Sequence, residues 1–305
     1  MKVILIGPLT CDTIIKNDFN YKSVGGPVYY QSGVFKSLNI DVDAFVTVSP
    51  HDENFTHYFP ENINLIPISV EHTMEFYNIY PNSDPNHRIQ KAIIPHNPIN
   101  IKDLAVKDFS SYDAILLGPL SPFDIPIETY KYLSKFDIPI CLGAQGYLRF
   151  LNNDKISLKP WDDYSIFLKY VERLFIDENE ARIILGSNNS DLKSISKILA
   201  VHGPEEVIIT CGDRGALIYS KKADKFYKIS SFAPDKVIDP TGLGDTFMAA
   251  YIAKRFETDN LEECGRFASI ISSMKLEKKG FFNYKLEDIQ KKLSLLNNDP
   301  KKTLN

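Results

Sequence analysis

The sequence contains few cysteines, and they do not form the patterns that define disulfide-rich or zinc-binding proteins. Its 305 residues include only four cysteines, Cys11, Cys141, Cys211 and Cys264, and they form no CxxC or Cys/His metal-binding pattern. Widely separated cysteines of this kind are typical of buried free thiols in a reducing compartment. We therefore expect four free thiols.

Long apolar runs and a surplus of positive charge are also missing. No apolar run approaches the ~18 residues of a membrane-spanning helix. The start, MKVILIGPLT, is too short for the core of a signal peptide. The formal net charge is −4, with acidic residues interspersed among the lysines, so no global basic field attracts nucleic acid or anionic lipid. We expect a cytoplasmic protein that binds neither nucleic acid nor membrane.

The common phosphate-binding motifs are absent, but one unusual glycine segment is present. Neither the P-loop pattern GxxxxGK[ST] nor a GxGxxG dinucleotide loop occurs. Only 15 residues are glycine, yet two of them fall in DPTGLGDTF at 239–247, just before an apolar helical pattern. Glycines let backbone N–H groups approach a ligand, and the first turn of a helix adds free N–H groups and a positive dipole end. The segment predicts an anion hole at Gly242, Leu243 and Gly244, with a helix beginning at about Leu243.

Asp245 projects from the first turn of that helix, beside the predicted anion. A carboxylate next to a bound anion is unfavourable unless it has a function, and taking a proton from an attacking hydroxyl group is such a function. The alternative is that Asp245 only stabilises the helix N-terminus, as acidic residues there often do. The isolated motif leaves both interpretations open.

Short apolar runs elsewhere predict an α/β fold. Runs typical of buried parallel strands are VILIG (3–7), AILLG (114–118), IPICLG (138–143), RLFID (173–177) and EVIIT (206–210). Helical stretches, such as 125–136 and 190–201, lie between several of them. This alternation predicts a right-handed, mostly parallel sheet covered by helices.

Two segments depart from this alternation. Residues 10–24 and 72–95 contain short alternating stretches, among them EFYNIY (75–80) and HRIQKAII (87–94), separated by PNSDPN. They predict antiparallel strands joined by a turn. We expect them to form a small β lid on a single domain spanning 1–296, followed by a polar C-terminal tail at 297–305; the alternative is a surface hairpin without a functional role.

Residues 239–245 resemble D-[TP]-T-G-x-G-D, the C-terminal signature of the ribokinase-like (PfkB) carbohydrate kinases. Other segments that resemble that family follow in its order along nearly the whole chain. The resemblance implies a three-layer ribokinase-like α/β fold with a mostly parallel sheet and a small β lid. It also implies an ATP-dependent kinase in which Asp245 is the catalytic base and the N–H groups of residues 242–244 stabilise the transferred phosphoryl group.

The resemblance implies a substrate site formed by residues near the N-terminus and by the segment 142–150. GPLTCD (7–12) resembles the family's first strand, with Asp12 as acceptor for substrate hydroxyl groups, and Gly25-Gly26 resembles its diglycine. Tyr30 stands where the family commonly has a hydroxyl-binding Asn. LGAQGYLRF (142–150) resembles a Q-G-x-x-R segment of the inositol-kinase branch, in which Gln145 and Arg149 would contact the substrate; the alternative is a structural role for that arginine.

The resemblance also implies a site for ATP and Mg²⁺. FIDENE (175–180) resembles the family's N-x-x-E segment, so Glu180 would assist Mg²⁺ indirectly, with Asp177 in place of the usual Asn as a second metal candidate. TCGDRG (210–215) resembles the nucleotide-binding turn. The expected nucleotide contacts are Asp177, Glu180, Thr210, Gly212, Asp213, Gly215, Gly244, Ser269 and Gly280.

The expected activity is transfer of the γ-phosphoryl group of ATP to a hydroxyl group of a small sugar or cyclic polyol, with myo-inositol favoured over ribose. The alternatives are a nucleoside kinase, in which Tyr29 or Tyr30 stacks on the base, and a catalytically silent sensor of nucleotide and sugar. Activation by K⁺ stays open, because Lys275 falls near the family's cation-loop position. Pairing of lid edges would permit a homodimer.

Overall fold

The computed structural model describes residues 1–16, 19–61, 63–80, 89–186, 191–298 and 303–304. In chain order its strands are β1 (Lys2–Pro8), β2 (Thr10–Lys16), β3 (Phe19–Gly25), β4 (Asp41–Val48), β5 (Asn64–Ser69), β6 (Met74–Tyr80), β7 (Ile89–Ile93), β8 (Ala114–Leu117), β9 (Ile140–Gly143), β10 (Arg149–Asn152), β11 (Lys155–Leu158), β12 (Arg173–Asp177), β13 (Glu206–Thr210), β14 (Ala216–Ser220), β15 (Lys225–Ile229), β16 (Ser231–Phe232) and β17 (Thr303–Leu304).

The helices connect these strands. In chain order they are α1 (Pro27–Ser37), α2 (Ile101–Leu104), α3 (Ile127–Leu133), α4 (Gln145–Leu148), α5 (Tyr164–Leu168), α6 (Glu178–Ile184), α7 (Leu192–Val201), α8 (Leu243–Arg255), α9 (Leu261–Leu276) and α10 (Leu286–Asn298). Shorter 3₁₀ segments span Pro50–Tyr58, Ser134–Phe136 and Gly212–Arg214.

The main sheet has nine strands in the order β15-β14-β13-β12-β9-β8-β1-β4-β5. Its strands run parallel from β13 to β5, and β14 and β15 extend it by antiparallel pairing. Each apolar run predicted as a strand forms one of its parallel strands, because side chains on both faces are buried under helices. The predicted fold class is confirmed.

Two hydrophobic cores lie on opposite faces of this sheet. Alternate residues of β1 divide between them: Val3 and Leu5 belong to the core with α1, α8 and α9, whereas Ile4 and Ile6 belong to the core with α3, α6 and α7. This division follows from the two-residue repeat of a strand. The result is a three-layer α/β/α arrangement.

A second sheet of six strands has the order β10-β11-β7-β6-β2-β3. Both segments predicted as the lid contribute to it, and β6 and β7 pair antiparallel as expected. This sheet also contains two strands that were not predicted, β10 and β11. They pair with each other, and β11 pairs with β7. The predicted PNSDPN turn lies outside the described residues.

The chain end differs from the predicted polar tail. α10 continues to Asn298, and Thr303–Leu304 pairs antiparallel with Ser231–Phe232. All four cysteines are free. Within the described ranges, no helix is long and apolar enough to span a membrane.

Candidate active site

A cavity of about 580 Å³ lies between the carboxyl edge of the main sheet and the second sheet. Its walls include the residues that follow β8 and β9, the ends of β12 and β13, and the first turn of α8. The opposite wall comes from β2, β6, β7 and β10. Ligands of open α/β sheets bind at this edge, where the connecting segments diverge.

The structure brings most of the predicted site residues into this one cavity. Those that line it are Asp12, Gly26, Tyr30, Gln145, Arg149, Asp177, Glu180, Thr210, Gly212, Gly242, Leu243, Gly244 and Asp245. Five predicted site residues are not among its lining residues: Gly25, Asp213, Gly215, Ser269 and Gly280. The first group includes the predicted base, anion hole and metal candidates, whereas most of the second group was predicted to bind the nucleotide.

The two glycines of the predicted anion hole differ in their surroundings. Gly242 is the N-cap of α8, with φ 74° and ψ 17°, and a Cβ there would lie 2.2 Å from Cγ of Tyr30. Gly244 is helical, and a Cβ there would have no neighbouring atom within 4 Å. Gly242 is therefore required by backbone conformation and packing, whereas Gly244 keeps the space beside the helix N-terminus free.

Asp245 is the third residue of α8 and faces the cavity. Desolvation of its carboxyl group at the cavity wall raises its pKa to about 6, an effect that the positive charge of Arg149 partly opposes. A carboxylate with a raised pKa is a stronger base than one in water but is still mostly deprotonated at pH 7. These properties suit a general base.

Asp12 lies on the second sheet and is almost fully buried. Its Oδ1 atom accepts a hydrogen bond of 2.7 Å from Thr10 Oγ1. A Cβ at Gly25 would lie 2.7 Å from Asp12 Oδ2, so glycine at this position lets β3 approach the carboxylate. Gly25 thus packs against Asp12 without lining the cavity, whereas Gly26 lines it.

The wall near α6 carries interacting charged groups. Asp177 and Glu180 form a capping box, with hydrogen bonds of 2.9 Å from Asp177 N to Glu180 Oε2 and 2.8 Å from Glu180 N to Asp177 Oδ1. Burial and the neighbouring Asp177 carboxylate raise the pKa of Glu180 to about 7, while Arg149 and a hydrogen bond with Gln145 act in the opposite direction. The guanidinium of Arg149 also lies 5.3 Å from the ring centroid of Phe76.

These carboxylates fit an indirect role in binding Mg²⁺. The part of the chain that the structure describes has no group of three or more His, Cys, Asp or Glu side chains that could hold a metal ion by themselves. Protein-bound Mg²⁺ commonly uses one or two carboxylates together with phosphate oxygens and water. In the capping box Asp177 uses its Oδ1 atom and Glu180 uses its Oε2 atom, and both residues line the cavity.

Four residues predicted to contact the nucleotide make hydrogen bonds within the protein. Ser269 is buried, and its hydroxyl donates a 2.9 Å hydrogen bond to the carbonyl of Ser230. The N–H of Gly280 donates to Asp239 Oδ2 at 3.1 Å, and the N–H of Gly215 donates to the carbonyl of Gly212 at 3.1 Å. The carbonyl of Asp213 accepts a hydrogen bond from the hydroxyl of Ser231.

Asn78 on β6 and Gln90 on β7 also line the cavity, and the sequence analysis did not include them among the site residues. Gln90 Nε2 donates a 2.9 Å hydrogen bond to Asn78 Oδ1, and Asn78 is 2% exposed. The available signal was the alternation of the predicted lid strand. Phe76 is paired in register with Asp12, and Asn78, two residues further on, points to the same face as Phe76.

The arrangement of the two sheets matches solved structures along almost the whole chain. A pyrophosphate-dependent kinase in the ribokinase family, complexed with a pyrophosphate analog and myo-inositol, has a TM-score of 0.80 at 21% identity and covers 96% of this chain and 99% of that chain. Arabidopsis thaliana ribokinase complexed with ribose and ATP has a TM-score of 0.77 at 17% identity and covers 95% and 98%. The protein thus has the ribokinase-like fold.

The sequence itself matches over shorter stretches. A cytidine kinase of Thermococcus kodakarensis is 36% identical over 96 residues, which cover 32% of this chain and 34% of that protein. The chain matches less than half of the length of this relative and of three further curated relatives, two nucleoside kinases and a ribokinase. Residues 144–287, which include the glycine segment and Asp245, match the model of the pfkB family of carbohydrate kinases. These residues of the chain are thus similar to the pfkB family of carbohydrate kinases.

Proposed function

We propose that the protein transfers a phosphoryl group from a phosphate donor to a hydroxyl group of a small cyclic polyol such as myo-inositol. One observation carries the proposal: Asp245, with a pKa raised to about 6, lies beside the glycine N–H groups at the start of α8, and Asp12 lines the same cavity. A base, an anion hole and a hydroxyl acceptor are the groups that phosphoryl transfer to an alcohol requires.

The reaction step follows from this geometry. Asp12 accepts a hydrogen bond from the substrate and orients it, and Asp245 accepts the proton of the attacking hydroxyl group. The hydroxyl oxygen forms a bond to phosphorus while the bond between phosphorus and the leaving phosphate oxygen breaks. The N–H groups at residues 242–244 and the positive end of α8 stabilise the negative charge on the transferred group. Mg²⁺, when bound near Asp177 and Glu180, supplies further charge neutralisation on the phosphates.

The lining of the cavity supports a polyol over a nucleoside as the acceptor. Polar groups reach it from several sides, including Asp12, Asn78, Gln90 and Gln145, which suits a ring with hydroxyl groups around its perimeter. The two tyrosines considered for stacking on a base are packed otherwise. The ring of Tyr30 lies against Gly242, and the ring of Tyr29 makes edge contacts with Tyr30, Phe59 and Phe281. The myo-inositol complex of a kinase with the same fold supports this choice.

The phosphate donor has two candidates, ATP and pyrophosphate. The family resemblance favours ATP, and a ribokinase of the same fold binds it. Pyrophosphate is favoured by a specific observation: Asp213, Gly215, Ser269 and Gly280, predicted to contact the nucleotide, are bonded internally and do not line the cavity. A cavity that contains the anion hole without a nucleoside wall suits a compact donor, such as the one used by a solved kinase of this fold.

A direct test measures phosphoryl transfer with each donor and a set of acceptors. Purified protein is incubated with Mg²⁺, with ATP or pyrophosphate, and with myo-inositol, ribose, fructose, cytidine or adenosine, and the phosphorylated product is identified by mass spectrometry. We expect the highest kcat/KM with myo-inositol, and a fall in kcat of ~100-fold or more in Asp245→Asn. A tenfold preference for ribose or a nucleoside would refute the polyol, whereas near-normal turnover of Asp245→Asn would refute the base.

A further inference from the structure

Lys275 is a fully buried cation beside the predicted anion hole. It is the penultimate residue of α9, and its side chain is 0% exposed to solvent. Its ammonium group lies 2.9 Å from the carbonyl oxygen of Asp239 and 3.2 Å from Asp239 Oδ2. Burying an ammonium group is costly unless it is paired and hydrogen-bonded, and here one residue, Asp239, supplies both oxygens.

Asp239 fixes the turn that leads into α8. Its Oδ1 atom accepts a 3.0 Å hydrogen bond from the N–H of Thr241, and its Oδ2 atom accepts one of 3.1 Å from the N–H of Gly280. The N–H of Ile238 donates to the carbonyl of Leu276 at 2.8 Å. The segment just before the anion hole is therefore attached to the end of α9 through the carboxylate that Lys275 neutralises.

Tyr30 provides a second connection between the ammonium group and the anion hole. The Lys275 nitrogen lies 5.5 Å from the centroid of the Tyr30 ring, a distance at which a cation is attracted to an aromatic face. The same ring blocks any Cβ at Gly242. The ammonium group thus bonds to Asp239, where the turn begins, and lies near the ring of Tyr30, against which Gly242 packs at the end of the turn.

We propose that Lys275 is a positioning residue for phosphoryl transfer, acting as a built-in cation that holds residues 239–242 in the conformation that presents the anion hole. A carbonyl oxygen and a carboxylate oxygen are also the ligands that bound cations prefer. An ammonium group that occupies such a position removes the need for a monovalent ion from solution. This inference rests on the proposed kinase function.

The first measurement uses the unmodified protein. Transfer activity is measured from zero to 100 mM KCl, with choline chloride added to keep the ionic strength constant. Because Lys275 already supplies the cation, we expect kcat to change by less than about twofold. Activation by K⁺ of about fivefold or more would overturn the proposal, since it would require an ion that the lysine was inferred to replace.

The second measurement compares Lys275→Met with Lys254→Met. Lys254 is a matched control because it lies on α8, outside the cavity lining, and pairs with Glu257 and Glu263. In Lys275→Met we expect kcat to fall by about tenfold or more while KM for the acceptor stays within about threefold. Part of the kcat should return with KCl or NH₄Cl but not with choline chloride. A merely structural lysine would lower Tm without this ion-dependent recovery, and that result would overturn the proposal.

A third measurement remains informative if Lys275→Met does not fold or if no transfer is found. Calorimetry gives the Kd of inorganic tripolyphosphate for the unmodified protein, Lys275→Met and Asp239→Asn, which keeps the acceptor oxygen and removes the charge. We expect about tenfold weaker binding in the folded variants. Equal Kd values would overturn the role of Lys275. Absence of transfer with every donor, combined with weakened binding in the variants, would refute the kinase function and leave the positioning role supported.

Discussion

The contrast between Gly242 and Gly244 gives a test that separates folding from catalysis within three residues. At Gly244 an added methyl group enters free space at the start of α8 and touches no other atom within 4 Å. Alanine is a better helix former than glycine by up to about 1 kcal/mol. We therefore expect Gly244→Ala to fold with an unchanged or slightly higher Tm, and kcat to fall by at least about tenfold because the methyl group obstructs the approach of phosphate to the N–H groups.

At Gly242 the same substitution acts on stability. The residue has φ 74°, where a side chain costs roughly 1–2 kcal/mol. An added Cβ would also lie 2.2 Å from the Tyr30 ring, and such overpacking costs roughly 1–3 kcal/mol more. At roughly 2 °C per kcal/mol for a chain of this size, Tm should fall by about 4 to 10 °C.

Thermal unfolding followed by circular dichroism and steady-state transfer assays measure both quantities on the two variants. The reasoning is refuted if Gly244→Ala keeps the kcat of the unmodified protein, because the space beside Gly244 would then not receive the phosphate. The reasoning is also refuted if Gly244→Ala has a lower Tm than Gly242→Ala, because a Cβ at residue 244 would then not lie in free space.

Three further predictions concern the charges of the cavity and the second sheet. Because the pKa of Asp245 is raised to about 6, its deprotonated form is lost as pH falls through 6, and kcat/KM should drop about tenfold per pH unit below that value. The charge of Arg149 lowers this pKa, so in Arg149→Met the fall in kcat/KM should begin at a higher pH. The pKa of Glu180 is raised to about 7 in the folded state, so unfolding releases a proton and the free energy of unfolding falls as pH rises from the unfolded pKa toward 7. Glu180→Gln keeps the capping box but has no carboxyl group to titrate. Its Tm should therefore match that of the parent at pH 4 and exceed it at pH 8. Amide hydrogen exchange in β2, β3, β6 and β7 should slow when acceptor and a non-hydrolysable donor bind, and equal exchange rates with and without ligand would contradict a closing lid.

The sequence predicts the fold well because its signals are local. Apolar runs such as 3–7 and 206–210 need only their own residues to indicate buried strands, and each forms a strand of the main sheet. The strands β10 and β11 were missed because RFLN and KISL are short and partly polar. β11 joins the second sheet by pairing with β7, which is distant in the sequence, and β10 joins it by pairing with β11.

The position of the candidate site was predictable where one short segment contains its residues. DPTGLGDTF places the proposed anion hole and Asp245 side by side at the cavity, since the turn and the first turn of α8 are consecutive. Asn78 and Gln90 could not be assigned in the same way, because they become cavity residues only when the second sheet folds over the main one. The nucleotide contacts were inferred from resemblance, and there the local pattern around Ser269 and Gly280 does not reveal whether the groups face a ligand or bond internally.

The basicity of Asp245 shows where local and distant contributions meet. The segment that contains Asp245 determines that a carboxylate stands at the start of α8, near a positive dipole end, which favours its charged form. Burial in the cavity has the opposite effect and raises the pKa of Asp245 to about 6. That burial comes from walls supplied by β2, β6 and β12, and Arg149, which moderates the shift, begins β10, almost 100 residues before the base. A motif can therefore propose a base, but the pKa of that carboxyl group is a property of the assembled fold. If Asp245 is the base, substitutions in the second sheet should change the pH dependence of the reaction without touching Asp245.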